Sequence, residues 1–431
     1  MRAAVCLVLL TIVCAKGGAA TIDNVDRLVL DLSRAKIGQV LEFDGALLGG
    51  AVSGPVTLER VRLRAPGAGV YVLRGSGPEP LDYPRRHVFM GRSLDNPRVR
   101  IGVLFDPIGM RLSGNVASPE GLKALNLVTD AGWRITARTP RSLLPDGLEL
   151  TQTCGNVDFD QSDRHPSFES DALDGVFPAS SRGSLRYGVL ALDTDTQWLD
   201  RRFNDNTTEA AEWFEDLLVA TNTLFESQLD LRMLQGDTFL RTDSDPYTVE
   251  SSGASGSHLS EFGSYWQNNF SGIARTHAAL VSGNASSGTS ASGIAWIDSY
   301  CRYQSSGGSY SVNQLFWSGS VPVVASARLF AHELGHNLGS VHTHCYDPPI
   351  DQCYASEPGC YSGTTSCPAE GSGTLMSYCN LSTGCGPSNP NRLELAPAVE
   401  AVMNDRVQAN TPSCLSTDAG ETAIFEDRFE S

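Results

Sequence analysis

Ala331-His332-Glu333-Leu334-Gly335-His336-Asn337-Leu338-Gly339-Ser340-Val341-His342 carries three of the eight histidines of this chain, and His344 follows two residues on. Apolar residues recur at intervals of three and four from Val324 through Ala327, Ala331, Leu334 and Leu338. That spacing predicts a helix. On such a helix His332 and His336 lie one turn apart on one face. Two imidazoles so spaced suit one tetrahedral metal ion. Glu333, beside the first of them, can reach a water at the metal without being a ligand. Gly339 stands where the helix must stop, and a glycine there takes the left-handed conformation that ends helices. The chain then turns back and brings His342 toward the metal from outside the helix. Three neutral imidazoles leave a fourth position for water, the layout of a catalytic zinc site and not of a closed structural one. The alternative is a helix whose histidines are solvated or satisfied by hydrogen bonds.

Downstream lies Gly373-Thr374-Leu375-Met376-Ser377-Tyr378-Cys379, with one of only six methionines in the chain. Together, H-E-x-x-H-x-x-G-x-x-H and this later methionine resemble the metzincin metallopeptidases, which carry a methionine turn beneath the zinc. Gly335-His336-Asn337-Leu338-Gly339 looks most like the adamalysin, or reprolysin, branch. Two positions depart from that branch. Thr343 follows the third histidine where an aspartate usually stands. Tyr378 follows Met376 by two, as in the astacin and serralysin branches, where that tyrosine helps bind zinc or the transition state.

The resemblance implies an α/β (α+β) catalytic domain with a twisted mixed sheet and an active-site helix, preceded by a β-rich pro-domain. It implies Zn2+ held by His332, His336 and His342, with Glu333 as general base in peptide-bond hydrolysis by a zinc-activated water.

Composition agrees with a folded, exported protein. Hydrophobic residues make up 41% of the chain, which argues against disorder. The net charge of −17 argues against nucleic acid or an anionic membrane surface as partner. Arg2, the apolar run from Ala3 to Ala15 and the small residues Gly18 and Ala20 read as a secretory signal peptide over 1–20. No other stretch is apolar for long enough to span a bilayer. The expected partners are protein or peptide substrates, met by a monomer outside the cell.

Cysteines add a second signal of export. Cys6 and Cys14 fall in the signal peptide. Cys301, Cys345, Cys353, Cys360, Cys367, Cys379, Cys385 and Cys414 are even in number, which fits up to four disulfides of undetermined pairing. Cys154 is left over, beside Gly155. A thiolate is a good fourth zinc ligand and would displace the catalytic water; related zymogens use such a Cys-Gly segment as a cysteine switch. A spare cysteine, or one paired with Cys301 or Cys414, is the alternative.

Along the chain, residues 21–183 read as a β-rich pro-domain and linker. Strand-like runs fall at Val29–Leu32, Val56–Leu63, Gly69–Leu73, Val88–Met90, Val99–Leu104 and Trp133–Ala137, punctuated by Gly and Pro. Residues 156–183 are rich in Asp, Ser and Pro and suit processing. Residues 184–415 alternate between the two periods. Leu185–Asp193 reads as a buried strand. Asn206 and Glu209 read as a capping pair for a long helix carrying Trp213, Phe214, Leu217 and Leu218. Strands are expected around Leu231, at Ala278–Val281 and at Gly293–Ile297; in metzincins the last is the edge that pairs with substrate. A closing helix is expected over Arg392–Ala409, its end pinned by Cys414, and 416–431 form an acidic tail. His258 and His277 read as structural.

Two other functions compete. A catalytically silent zinc-binding adhesion or interaction module would share the fold, but such modules usually lack the glutamate that Glu333 supplies. A thermolysin-type hydrolase would use a glutamate as third ligand, which His342 and Met376 oppose.

Overall fold

Asn24 accepts a hydrogen bond from the Arg27 amide and starts a helix, α1 (Val25–Arg34), that buries Leu28, Val29 and Leu32. The run Val29–Leu32 is therefore helical and not a strand. A short apolar run fits either period, and here the cap and the Leu28–Val29–Leu32 face decide. The computed structural model describes residues 22 and 24–419, apart from 84, 119–120, 131, 146–147, 159–183, 305, 370–372 and 387–390. The expected signal peptide, most of the processing segment and the tail beyond 419 lie outside the described residues.

Short strands follow α1: β1 (Val40–Asp44), β2 (Pro55–Val61), β3 (Val70–Arg74), β4 (Gly77–Pro80), β5 (His87–Ser93), β6 (Arg100–Asp106), β7 (Arg111–Ser118), β8 (Gly121–Val128) and β9 (Arg134–Arg138). Seven of them form an antiparallel sheet in the order β1-β2-β5-β6-β7-β8-β9. The β3–β4 hairpin is passed over, and its place is elsewhere.

The remaining strands are β10 (Thr151–Asp158), β11 (Arg186–Thr194), β12 (Leu231–Arg241), β13 (His277–Ser282), β14 (Ser290–Ile297), the short pair β15 (Tyr303–Gln304) and β16 (Gly307–Gly308), and β17 (Tyr310–Gln314). Interleaved are α2 (Thr196–Phe203), α3 (Thr207–Gln228), α4 (Gly256–Asn269), α5 (Val323–Asn337) and α6 (Pro397–Ala409). The large sheet runs β10-β14-β17-β13-β11-β12-β3-β4. It is mixed: β14 is antiparallel to β17 and β3 to β4, and the other pairings are parallel. The α/β class with a mixed sheet is thus as expected. Both edges of this sheet come from residues before 183: β10 lies outside β14, and the β3–β4 hairpin lies outside β12.

Helix α3 sits between the two sheets. Asn206 caps it, accepting from the Glu209 amide as the sequence suggests. Its burial extends round the helix, from Ala210 and Trp213 to Val219, Thr221 and Thr223. A helix buried on all sides belongs in a core between layers. Gly102 of β6 lets the N-terminal sheet approach closely, since a side chain there would meet Val219 and Thr223. Val88, Met90 and Leu104 from that sheet join Phe214, Leu217 and Phe330 in one hydrophobic cluster. Polar contacts cross the same seam. Arg86 bonds Glu215 at 2.9 Å and Asp216 at 2.9 Å, and Tyr83 donates to Glu215 at 3.0 Å.

The closing helix begins at Pro397, later than Arg392, because proline suits a first helical turn. Helix α4 is not among the elements expected from the sequence. Ser255 and His258 form a reciprocal capping pair that starts it. Four disulfides pair Cys301 with Cys414, Cys345 with Cys360, Cys353 with Cys379 and Cys367 with Cys385. Among the described residues Cys154 is the free cysteine. No helix among them is long and apolar enough to cross a membrane.

Candidate metal centre

Helix α5 presents His332, Glu333 and His336, all buried. It ends as its sequence dictates. Gly339 has a φ of 101°, where a side chain would be strained. The last carbonyls are taken by the loop after β14: Asp298 N bonds His336 O and Tyr300 N bonds Asn337 O, each at 2.9 Å. Asn337 donates to Trp296 O at 2.9 Å and Tyr310 O at 3.1 Å. The metal-facing end of the helix is thereby fixed to the sheet.

His342 then comes back from outside the helix, as expected. One ligand atom each from Cys154, His332, His336 and His342 lie within 4.8 Å of one another. Ring centroids of the three histidines are 4.7 to 5.3 Å apart. Each Nδ1 faces an acceptor: Leu375 O at 2.7 Å for His332, Ser340 O at 2.7 Å for His336 and Glu357 Oε2 at 2.8 Å for His342. Carbonyl and carboxylate oxygens only accept, so Nδ1 carries the proton and Nε2 is left as the donor toward the centre. Burial pushes His332 down to about 3 and lowers His336 and His342, so all three are neutral at pH 7.

The fit to a metal rests on atoms that are otherwise unaccounted for. His332 Nε2 is buried with no hydrogen-bond partner, and the fully buried Glu333 carboxyl meets the Cys154 thiol. Unsatisfied polar atoms at that depth are costly and mark a missing ion or water. Neutral imidazoles and a thiol are donors that suit zinc. Burial pushes the Glu333 carboxyl well above its usual range.

Two glycines make room for this arrangement. A Cβ on Gly293 of β14 would stand 2.1 Å from Glu333 Oε1. A Cβ on Gly335 would stand 2.7 Å from the sulfur of Met376, which is fully buried beneath the histidines. The turn carrying Met376 is tied to the returning chain by Thr343 N to Met376 O at 3.0 Å. Thr343, directly after the third histidine, donates its hydroxyl to Asp351. Tyr378 packs its ring 4.0 Å from that of His342.

Cys154 reaches the centre on β10. That strand runs parallel to β14, with Cys154 opposite Gly293. The Cys154 sulfur lies 3.5 Å from His336 Nε2, and Tyr378 donates its hydroxyl to Cys154 O. The thiol is free, so its pairing with Cys301 or Cys414 does not occur. His258 caps α4, and His277 sits between Ser309 and Ser311; neither joins the cluster. His344 stays outside it as well.

Two participants are absent from the sequence reading. Gly293 is one; a glycine inside a predicted strand is the signal for a close approach. Glu357 is the other. It accepts from His342 Nδ1 at 2.8 Å and His344 Nε2 at 2.9 Å through the same oxygen. Burial opposes its ionisation, but the two imidazole donors outweigh that and hold the carboxylate well below its usual range. Nothing in its spacing reveals it.

One family model agrees with this geometry. Residues 185–389 match a reprolysin family model described as metallo-peptidase family M12. The chain is also similar to the crystal structure of metalloproteinase-II from Bacteroides fragilis, at 12% identity and a TM-score of 0.42, over 89% of this chain and 98% of that one. No curated protein matches in sequence.

Proposed function

We propose that this chain, a reprolysin-like metallopeptidase of family M12 over residues 185–389, is a secreted zinc-dependent endopeptidase made as a latent precursor. One observation carries the reading: three neutral imidazoles with Nδ1 tied back, beside the fully buried Glu333 carboxyl.

His332, His336 and His342 would hold the zinc through Nε2. A zinc ion there would polarise the scissile carbonyl and acidify a water. Glu333 takes the proton of the attacking water and delivers it to the leaving amine. Burial raises its proton affinity above that of an exposed carboxylate. The closeness of the Tyr378 ring to His342 supports a role for its hydroxyl in holding the developing oxyanion.

Latency is supported by β10. An extended peptide binds a sheet by adding a strand to its edge, and β10 fills the β14 edge. The Cys154 thiol lies among the donors and would fill the position that the attacking water needs. Processing within 159–183, followed by withdrawal of β10, would open both. Four disulfides and the apolar N-terminal run support export.

The test is cleavage of casein by the full chain after limited trypsin treatment, with the trypsin then inactivated by a serine-protease inhibitor, with and without a zinc chelator. Glu333→Gln runs in parallel. Chelator-sensitive cleavage that disappears in Glu333→Gln is the expected result. Cleavage that survives the chelator, or persists in the variant, sinks the reading.

A further inference from the structure

The three histidines are not held alike. His332 and His336 each donate Nδ1 to a main-chain carbonyl, Leu375 O and Ser340 O. Those acceptors come with the fold, and no side-chain change removes them. His342 stands outside the helix, and its Nδ1 is taken by a side chain, Glu357. We infer that Glu357 is the positioning residue of the metal centre, fixing the ring of His342 and strengthening it as a donor. This rests on the zinc reading above.

A carboxylate behind an imidazole fixes its tautomer and orientation and makes the other nitrogen more basic. Here the carboxylate is itself held from several sides. The Oε2 that receives His342 also receives His344 Nε2 at 2.9 Å. The His342 and His344 rings stack nearly parallel, 5.5 Å between centroids and 5° between planes. Glu357 lies in the loop closed by the Cys345–Cys360 disulfide. Within that loop Cys360 N bonds Glu357 O at 3.2 Å, and just outside the bridge Tyr361 N bonds His344 O at 3.0 Å. The bridge thus brings the acid back to a histidine 15 residues earlier. His344, which is no ligand, acquires a function as the second donor that keeps the carboxylate aimed.

Zinc affinity of the full chain, measured by competition with a chromophoric chelator, tests this without recourse to activity. Glu357→Ala should weaken binding by roughly 10- to 100-fold. Glu357→Gln keeps the shape and one acceptor oxygen but not the charge, so it should weaken binding by less. Its cobalt-substituted form should show shifted ligand-field bands, which a purely structural role would leave in place. His342→Ala is the reference. If wild type takes up no zinc, or His342→Ala binds as tightly as wild type, the zinc reading fails and this inference with it. If His342→Ala weakens binding while both Glu357 variants match wild type, Glu357 alone is overturned. Should Glu357→Ala not fold, unchanged affinity and spectrum in Glu357→Gln suffice to overturn it.

Discussion

Tyr378 donates its hydroxyl to the main-chain oxygen of Cys154, joining the turn beneath the histidines to a strand 224 residues earlier. While that bond stands, the hydroxyl is committed to β10 and is not free for substrate. The same residue therefore meets β10 through its oxygen and the histidines through its ring.

Loss of this bond should loosen the strand. Tyr378→Phe removes one hydrogen bond, worth about 1 kcal/mol net. Alkylation of Cys154 in the intact chain, followed by mass spectrometry of its peptide, should speed up by roughly fivefold. An unchanged rate would mean that the bond does not hold the strand.

Gly293 should be as sensitive as a reacting group although it has no side chain. Its missing Cβ is the space that Glu333 occupies. In Gly293→Ala the carboxylate must move, and turnover should fall by about 100-fold or more, the usual share of a general base. Zinc content should stay at the wild-type level, because no histidine is touched. Wild-type turnover in this variant would show that Glu333 works from another position.

The seam between the N-terminal sheet and α3 turns on Arg86, whose side chain is 9% exposed and faces Glu215 at 7%. Arg86→Met leaves a buried carboxylate without its cation. Breaking such a pair costs about 3–5 kcal/mol. Urea unfolding of the intact chain should show a loss of that order. A loss below about 1 kcal/mol, the range of surface pairs, would mean the seam is wet in solution.

His277 gives a pH dependence independent of the metal. Burial, with a smaller contribution from Arg275, pushes it down to about 3, against about 6.5 in an unfolded chain. Below that value the unfolded state binds a proton that the folded state refuses. The contribution of His277 to stability is therefore full above about pH 6.5 and is lost as pH falls toward about 3. Between pH 7 and pH 5 the loss is about 2 kcal/mol. In His277→Gln, measured by urea unfolding with chelator present, the difference between the two pH values should shrink by about that amount. An undiminished difference would assign the acid sensitivity to other groups.

Local signals in the sequence carried most of the second half. The α5 period, the Gly339 stop, the Asn206 cap and the continuous apolar β11 each act within a few residues, and each appears where its pattern indicates. The centre was legible because His332 and His336 share a helix and His342 follows a glycine stop. What was not legible is non-local. Val29 and Leu32 fit a helix or a strand until Asn24 and the packing decide. Cys154 stands opposite Gly293 only through a strand pairing. Glu357 reaches His342 only because Cys345 and Cys360 close its loop.

The β3–β4 hairpin has a consequence for the order in which the chain folds. Its neighbours β2 and β5 pair with one another past it, so the N-terminal sheet can close as soon as it is synthesised. The hairpin must wait for β12; Gly69, just before β3, bonds Asp237 from 168 residues away. Contacts of such separation form slowly. During that interval an unpaired strand is open to mispairing with other chains. Its outer strand, Gly77-Pro78-Glu79-Pro80, answers this hazard, because two prolines and a carboxylate make it a poor template for a further strand.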